Sequence, residues 1–349
     1  MISKKRQASV AAALFVPVLL LGACGPKTDD PDSSGGSSSS DLSGEVVVSG
    51  SSTVAPISNA VREAFIAENG DVDVTVDGPG TGDGFKLFCD GETDISDASR
   101  PIKEEEATTC EENGIEFIEL PVAIDGLSVI TAEDNPLDCL NYADLYALTG
   151  PESEGFDSWT DAQDLASELG SDTEFPDENL VVTAPGSESG TYDSFIELVL
   201  AGTGEARLEE GKIEEDQAET TRADYSASPD DNVIIEGVSG DPGGLGWVGF
   251  AFADQAEGVK LMPIAEEPGG DCVEPSAETI QDGSYPISRT LYIYVNKAKA
   301  EDNPAVGAFV DAYLADLTTF VEGADYIPLA DEAPTQETWE SKTVGTTAG

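Results

Sequence analysis

The sequence contains no histidine and has few lysines and arginines. Without histidine the chain cannot assemble a Ser–His–Asp triad, a histidine general base or most kinds of zinc site. Only 16 basic residues stand against 70 Asp and Glu in 349 residues, which gives a formal net charge of -54 at pH 7. So acidic a chain repels nucleic acid and anionic membrane surfaces, and neither is expected as a partner.

Long apolar runs are also scarce. The N-terminal run Val10–Ala23 is shorter than the ~20 residues that a membrane-spanning helix needs. It follows three basic residues and leads into Cys24 in the sequence LGAC, which resembles the lipobox of bacterial lipoproteins. We therefore expect residues 1–24 to be a lipoprotein signal with a lipidated Cys24. The mature chain would be exported and held by its lipid at the outer face of the bacterial cell membrane.

The residues after the signal divide into a linker and a folded part. Residues 25–44 are predicted to be flexible, because Ser33–Ser40 reads SSGGSSSS. About 300 residues follow, enough for two lobes, since single hydrophobic cores rarely grow beyond ~250–300 residues.

Two extended apolar runs, Pro121–Ile130 and Thr290–Val295, are expected to cross between the lobes. Lobe I would then comprise residues 45–123 and 286–349, and lobe II residues 124–285.

Four cysteines remain beside Cys24, and four cysteines allow three disulfide connectivities in an oxidising compartment. We favour Cys89–Cys110 and Cys139–Cys272, because this pairing keeps each bridge within one expected lobe. Free buried thiols are the alternative.

Three strands lead into turns rich in glycine and hydroxyl groups, and a helix follows each turn. Amides at helix starts carry a partial positive charge, and glycine leaves them accessible, so such turns suit an oxyanion. Each turn alone is equally well explained as ordinary N-capping, and Thr81 is expected to cap the second helix. Recurrence in one chain favours a shared anion site made by Ser51, Ser52, Thr53, Thr81, Gly82, Ser189, Gly190 and Thr191.

Other segments receive simpler interpretations. Val233–Val238 is predicted to be a strand from its apolar, β-branched composition. Arg207, Lys212 and Arg222 lie in a charged segment and are expected to be exposed.

Five motifs in this order, SGSSTVAPI, GTGDGFKLFCDGETDISDASRPI, SGTYDSF, GGLGWVGFAF and YPISRTLYIYV, resemble the phosphate-binding lipoproteins of the high-affinity phosphate ABC importer. The resemblance covers nearly all of residues 45–330. It implies an α/β fold of the type II periplasmic-binding-protein class, with two lobes that close like a clamshell and a central mixed sheet in each. It further implies a monomeric receptor, not an enzyme, that needs no cofactor or metal and delivers inorganic phosphate to an ABC permease.

The resemblance carries over to individual positions and also shows departures. Ser52, Thr53, Thr81, Ser99 and the Ser189–Thr191 turn match the family's cradle. Many members have an arginine shortly before the Ser-Gly-Thr turn, where this chain has Ala-Pro-Gly. Arg100 is the candidate replacement because it adjoins a cradle loop. Arg289 is the second candidate, with a structural ion pair as its expected role.

Many members also have an aspartate where Ser99 stands, and that carboxylate accepts the proton of hydrogen phosphate. Asp97, Asp83 and Asp125 are the candidates to take over, each with capping or surface exposure as the alternative. The choice between phosphate and another oxyanion, such as sulfate or molybdate, stays open at this point. A phosphoesterase on a similar scaffold and an acidic surface lipoprotein are the alternatives from other functional classes.

Overall fold

The computed structural model describes residues 42–187 and 189–345. The predicted signal, Cys24 and all but the last residues of the predicted linker lie outside these ranges. None of the helices within the described ranges is long and apolar enough to cross a bilayer.

The described chain alternates between strands and helices. The strands are β1 Gly44–Gly50, β2 Val72–Asp77, β3 Ile95–Ala98, β4 Phe117–Ala132, β5 Leu140–Asn141, β6 Val181–Ala184, β7 Ser226–Ala227, β8 Gly244–Gly249, β9 Val259–Leu261, β10 Ile264–Ala265 and β11 Ser288–Asn296. The α-helices are α1 Ala55–Glu68, α2 Thr81–Cys89, α3 Glu104–Glu112, α4 Tyr142–Thr149, α5 Gln163–Glu168, α6 Gly190–Phe195, α7 Ala201–Glu209, α8 Asp231–Ser239, α9 Phe250–Ala253, α10 Ala277–Gln281, α11 Lys297–Asp302, α12 Pro304–Ala315, α13 Leu317–Gly323 and α14 Ala333–Ser341. A π-helix, Ile196–Leu200, joins α6 to α7.

One mixed sheet organises the α/β fold, with the order β2-β1-β3-β11-β4-β8-β6-β7 and β9 also paired to β4. The predicted crossover at Pro121–Ile130 is part of the 16-residue strand β4. Residues of β4 up to Gly126 pair with β11, and those from Leu127 onward pair with β8. The neighbours of β4 therefore change between Gly126 and Leu127.

Two large hydrophobic cores flank this change of partners. One packs β1, β2 and β11 against α1 and α12, and includes Phe65, Phe309 and Tyr313. The other packs β6, β8 and the far half of β4 against α4 and the α6 region, and includes Trp159 and Trp247. The α/β fold class is thus the expected one, although one mixed sheet continues through both cores where a separate sheet in each lobe was expected. The residue boundaries of the two lobes stay a prediction.

Both predicted disulfides are confirmed. Cys89 and Cys110 are bonded between α2 and α3, and Cys139 is bonded to Cys272.

Two interpretations of segments outside the three turns are wrong. Residues 233–238 lie in helix α8, where Ile234 and Val238 are buried while Val233 is exposed, an amphipathic pattern that a short apolar run concealed. Arg207 and Arg222 are buried. Arg207 is paired with Glu152 and Glu168, and Arg222 with Asp224. These ion pairs, rather than water, compensate the charges of the two arginines.

Helix α2 packs against β1 where Gly84 of the helix meets Gly50 of the strand. A Cβ on Gly84 would lie 2.4 Å from the Gly50 Cα atom, whereas a Cβ on Gly82 would have its nearest neighbour at 4.0 Å. Gly84→Ala is therefore expected to lower the free energy of unfolding by about 1–3 kcal/mol through overpacking. Gly82→Ala, on the open face of the same helix, should leave it unchanged or raise it by up to ~1 kcal/mol. Urea unfolding of both variants checks this, and equal effects would contradict the packing account.

Candidate oxyanion site

The first two turns meet at one edge of the sheet. Ser51 and Ser99 directly follow the parallel strands β1 and β3, whose carboxyl ends lie side by side. The Ser51 amide donates to the Asp97 carbonyl over 2.8 Å, and the Gly80 amide donates to the Gly50 carbonyl over 2.9 Å. In open α/β sheets, ligands bind in the crevice beyond the carboxyl ends of the strands.

Thr81 and Ser99 join the second turn to the end of β3. Their hydroxyl oxygens are 2.9 Å apart, and the Ser99 amide donates to the Thr81 Oγ1 atom over 3.1 Å. Both residues are buried. The expected capping role of Thr81 is wrong, because Gly80 holds the N-cap position and Thr81 is the first residue of α2. The Thr81 hydroxyl is bonded to Ser99 instead.

The third turn and helix α6 contact the first turn from the other core. Ser52 donates its hydroxyl proton to Asp193 over 2.7 Å, and the Thr53 and Ser194 hydroxyls are 3.3 Å apart. A Cβ on Gly190 would come within 3.4 Å of the Thr53 Cα atom. The glycine thus lets the start of α6 lie against the first turn. Ser189 accepts a hydrogen bond from the Thr191 amide and caps α6.

Arg289 lies on β11, where the two cores meet. It is close to the point at which the pairing partner of β4 changes from β11 to β8. The antiparallel register of β11 and β4 places Arg289 opposite Asp125, and the Arg289 Nε atom donates to the Asp125 carboxylate over 3.3 Å. Its Nη2 atom donates to the Ser194 hydroxyl over 2.6 Å and to the Thr53 hydroxyl over 3.3 Å. The guanidinium is thereby connected to turns from both cores.

Glu197 is the second acidic neighbour of Arg289, which donates to it through Nη1. The Glu197 carboxylate also accepts a hydrogen bond from the Ser99 hydroxyl over 3.3 Å. The carboxylates of Asp125 and Glu197 therefore share the Arg289 guanidinium, and the Arg289 side chain is only 10% exposed.

Arg100 borders the same cleft as Ser99, Glu197 and Arg289, but its guanidinium is paired with a different carboxylate. Both terminal nitrogens of its guanidinium donate to the Glu106 carboxylate over 2.8 Å, and the group lies above the Phe85 ring. The Glu106 carboxylate is the main cause of a raised Arg100 pKa. Arg100 thus stabilises the start of α3, and within residues 42–187 and 189–345 it makes no hydrogen bond to the turns around Arg289.

The three candidate proton acceptors occupy different environments. Asp83 is exposed on α2. Asp97 is fully buried behind the first turn, where burial raises its pKa to about 7, although a 2.9 Å hydrogen bond from the Ser58 hydroxyl opposes that rise. Asp125 is buried among the site residues and accepts hydrogen bonds from Arg289 and Ser194. Among the three, only Asp125 contacts the side chains around Arg289.

Sequence reasoning missed Asp193, Ser194 and Glu197. They follow the Ser-Gly-Thr turn on α6 and the π-helix, where they read as ordinary helix residues. The only available signal was their helical spacing from Gly190, which places them on the face that continues the turn.

The assembled site combines hydroxyl donors and the Arg289 guanidinium with the carboxylates of Asp125, Asp193 and Glu197. A planar guanidinium donates two parallel hydrogen bonds to a tetrahedral oxyanion, and hydroxyls and turn amides can satisfy its other oxygens. The arrangement therefore suits reversible binding of a small oxyanion.

Comparisons with known proteins point the same way. Residues 35–316 match the model of the PBP superfamily domain. Protein SphX of Synechococcus elongatus is 39% identical over 296 residues, which cover 84% of this chain and 80% of SphX. The phosphate-binding protein PstS of Staphylococcus aureus strain USA300 is 33% identical over 324 residues, covering 93% of this chain and 88% of PstS.

Among solved structures, a protein described as a possible phosphate binding protein from Planctomyces limnophilus DSM 3776 has 34% identity and a TM-score of 0.75. The match covers 86% of this chain and 99% of that one. Since the superfamily model and these relatives each match most of its length, this chain belongs to the PBP superfamily, in the family of the phosphate-binding protein PstS.

Proposed function

We propose that this protein is the receptor of a phosphate ABC importer, which captures inorganic phosphate at the Arg289 cluster and hands it to the permease. The observation that carries the proposal is the meeting of Arg289 with hydroxyls from both cores, Thr53 and Ser194, within hydrogen-bond distance. The phosphate-binding names of relatives with 33–34% identity support the choice of ligand. The lipobox-like sequence before Cys24 supports export and lipid anchoring.

The proposed ligand set keeps most of the residues predicted from the turns and changes the arginine. Arg289 replaces Arg100, because Arg289 contacts hydroxyls from both cores, whereas both terminal nitrogens of Arg100 are paired with Glu106. Asp125 is the proposed acceptor for the ligand's proton among the three aspartates, since it adjoins Arg289 and Ser194. The remaining donors are Ser51, Ser52, Thr53, Thr81, Gly82, Ser99, Ser189, Gly190 and Thr191.

We further propose that β4 and β11 act as the connection about which two lobes close on phosphate. The lobes would be residues 45–123 with 286–349, and residues 124–285. Support comes from the position of Asp125 and Arg289, which pair across these two strands beside the change of neighbours in β4.

Calorimetric titration of the chain from residue 25 onward tests the ligand. We expect phosphate and arsenate to bind at least about tenfold more tightly than sulfate, because sulfate brings no proton to Asp125 and an unpaired buried acceptor costs about 1–3 kcal/mol. Equal or tighter binding of sulfate or molybdate would contradict the choice of phosphate. Hydrolysis of a phosphate ester without tight anion binding would instead favour the phosphoesterase.

A further inference from the structure

Glu197 occupies an unusual place in the main chain. It is the second residue of the π-helix Ile196–Leu200, which interrupts the helical segment between α6 and α7. Single π-helical turns are rare and change the direction in which the following side chains point. Here Glu197 faces Arg289 and Ser99 rather than only solvent.

The Glu197 carboxylate is bonded as an oxyanion ligand would be. Its Oε2 atom accepts from the Ser99 hydroxyl over 3.3 Å and from Arg289 Nη1. Ser99 belongs to the turn after β3, while Glu197 belongs to the opposite core region, so this one carboxylate links both sides of the site. Ser99 Oγ and Arg289 Nη1 are two of the donors that the proposed function assigns to phosphate.

We propose that the Glu197 carboxylate is an internal competitor for the oxyanion site, which an incoming anion must displace. The inference rests on the proposed function, since it concerns the same donors. Displacement is physically accessible because the Glu197 side chain is 48% exposed and can turn into solvent. Arg289 remains in place when Glu197 leaves, since Asp125, Ser194 and Thr53 hold its other nitrogen atoms.

The competitor sets the affinity of the site from within the protein. A dianion that approaches Arg289 meets a guanidinium already shared by two carboxylates, so part of its binding free energy is spent on breaking the Arg289–Glu197 contact. Removing the charge of Glu197 weakens or removes its bonds to both donors and also removes a like charge beside the bound anion. The site should then bind any tetrahedral oxyanion more tightly.

Calorimetric titration of Glu197→Gln and Glu197→Ala with phosphate and with sulfate tests the proposal, using the chain from residue 25 onward. Both variants should bind both anions about tenfold more tightly than the unaltered chain, the factor for one charge-assisted hydrogen bond. The matched control is Glu219→Gln. Glu219 lines the same cleft beside Ser99, Glu197 and Arg289, is exposed, and forms none of these bonds, so its affinity should change less than twofold.

The outcomes separate this inference from the proposed function. If the unaltered chain and Glu219→Gln bind phosphate but the Glu197 variants bind it equally or more weakly, the competitor is refuted and the receptor stands. Tightening by Glu197→Gln alone also refutes it, because the new amide would then act as a donor. If the folded, unaltered chain binds no oxyanion at all, the proposed function itself fails.

Discussion

Arg289→Lys is expected to weaken phosphate binding by at least about a hundredfold, which is the loss of one to two charge-assisted hydrogen bonds. Lysine keeps the positive charge opposite Asp125, but its three donors diverge from one nitrogen and cannot reproduce the planar fork with which Arg289 reaches Ser194, Thr53 and Asp125. Retaining the charge also avoids leaving the buried Asp125 carboxylate without a cation. Titration calorimetry measures the affinity, and circular dichroism verifies that the variant is folded.

Arg100→Lys is the matched control. The same conservative change at Arg100 disturbs the pair with Glu106 at the start of α3, so it should alter phosphate affinity by less than a factor of two. A large loss from Arg100→Lys together with a small loss from Arg289→Lys would reverse the assignment and restore the arginine that the sequence favoured.

Asp97→Asn should change how stability depends on pH. Asp97 is fully buried, its pKa is raised from 3.8 to about 7, and its Oδ2 atom has no hydrogen-bond partner among the described residues. The folded protein therefore keeps a proton that the unfolded chain releases above about pH 4, so unfolding free energy falls as pH rises from about 4 to about 7. The full penalty, near 4 kcal/mol, is present above pH 7. Asparagine cannot ionise and removes this penalty.

Urea unfolding at several pH values gives the free energy of unfolding of the variant and of the unaltered chain, and the effect is the difference between the two. That difference should grow by about 4 kcal/mol in favour of Asp97→Asn between pH 4 and pH 8. Asp83→Asn removes the same charge from an exposed position on α2, so its difference should stay nearly flat over this range. A flat difference for Asp97→Asn as well would show that the buried carboxyl titrates normally.

The fold could be predicted because its signals are local. Alternating apolar residues and glycine-rich turns predicted β1, β2 and β6, and the long apolar run predicted an extended segment within β4. Residues 233–238 were misassigned because six apolar-rich positions fit a strand as well as a helix, and packing against β6 and β8 decides between them. Both disulfides followed from counting cysteines and from the expected crossovers.

The site could be predicted only in part, since charge partners depend on distant elements. The hydroxyl turns were evident from glycine and serine spacing. The role of an arginine depends instead on which carboxylate lies close enough to pair with it. Arg100 pairs with Glu106, which is only six residues away in the sequence. Arg289 meets Thr53 and Ser194 across 236 and 95 positions of the chain, a proximity that only strand register creates.

The continuity of β4 also bears on how the protein can be divided. Its residues up to Gly126 pair with β11, and those from Leu127 onward pair with β8 and β9. The same 16-residue strand therefore belongs to the part of the sheet beside each core. Dividing the chain at the proposed lobe boundary would leave each product with unpaired main-chain amides and carbonyls along an exposed sheet edge. Such edges recruit other chains, so isolated halves should aggregate rather than refold, and biosensors based on this scaffold would need insertions in surface loops instead of splitting.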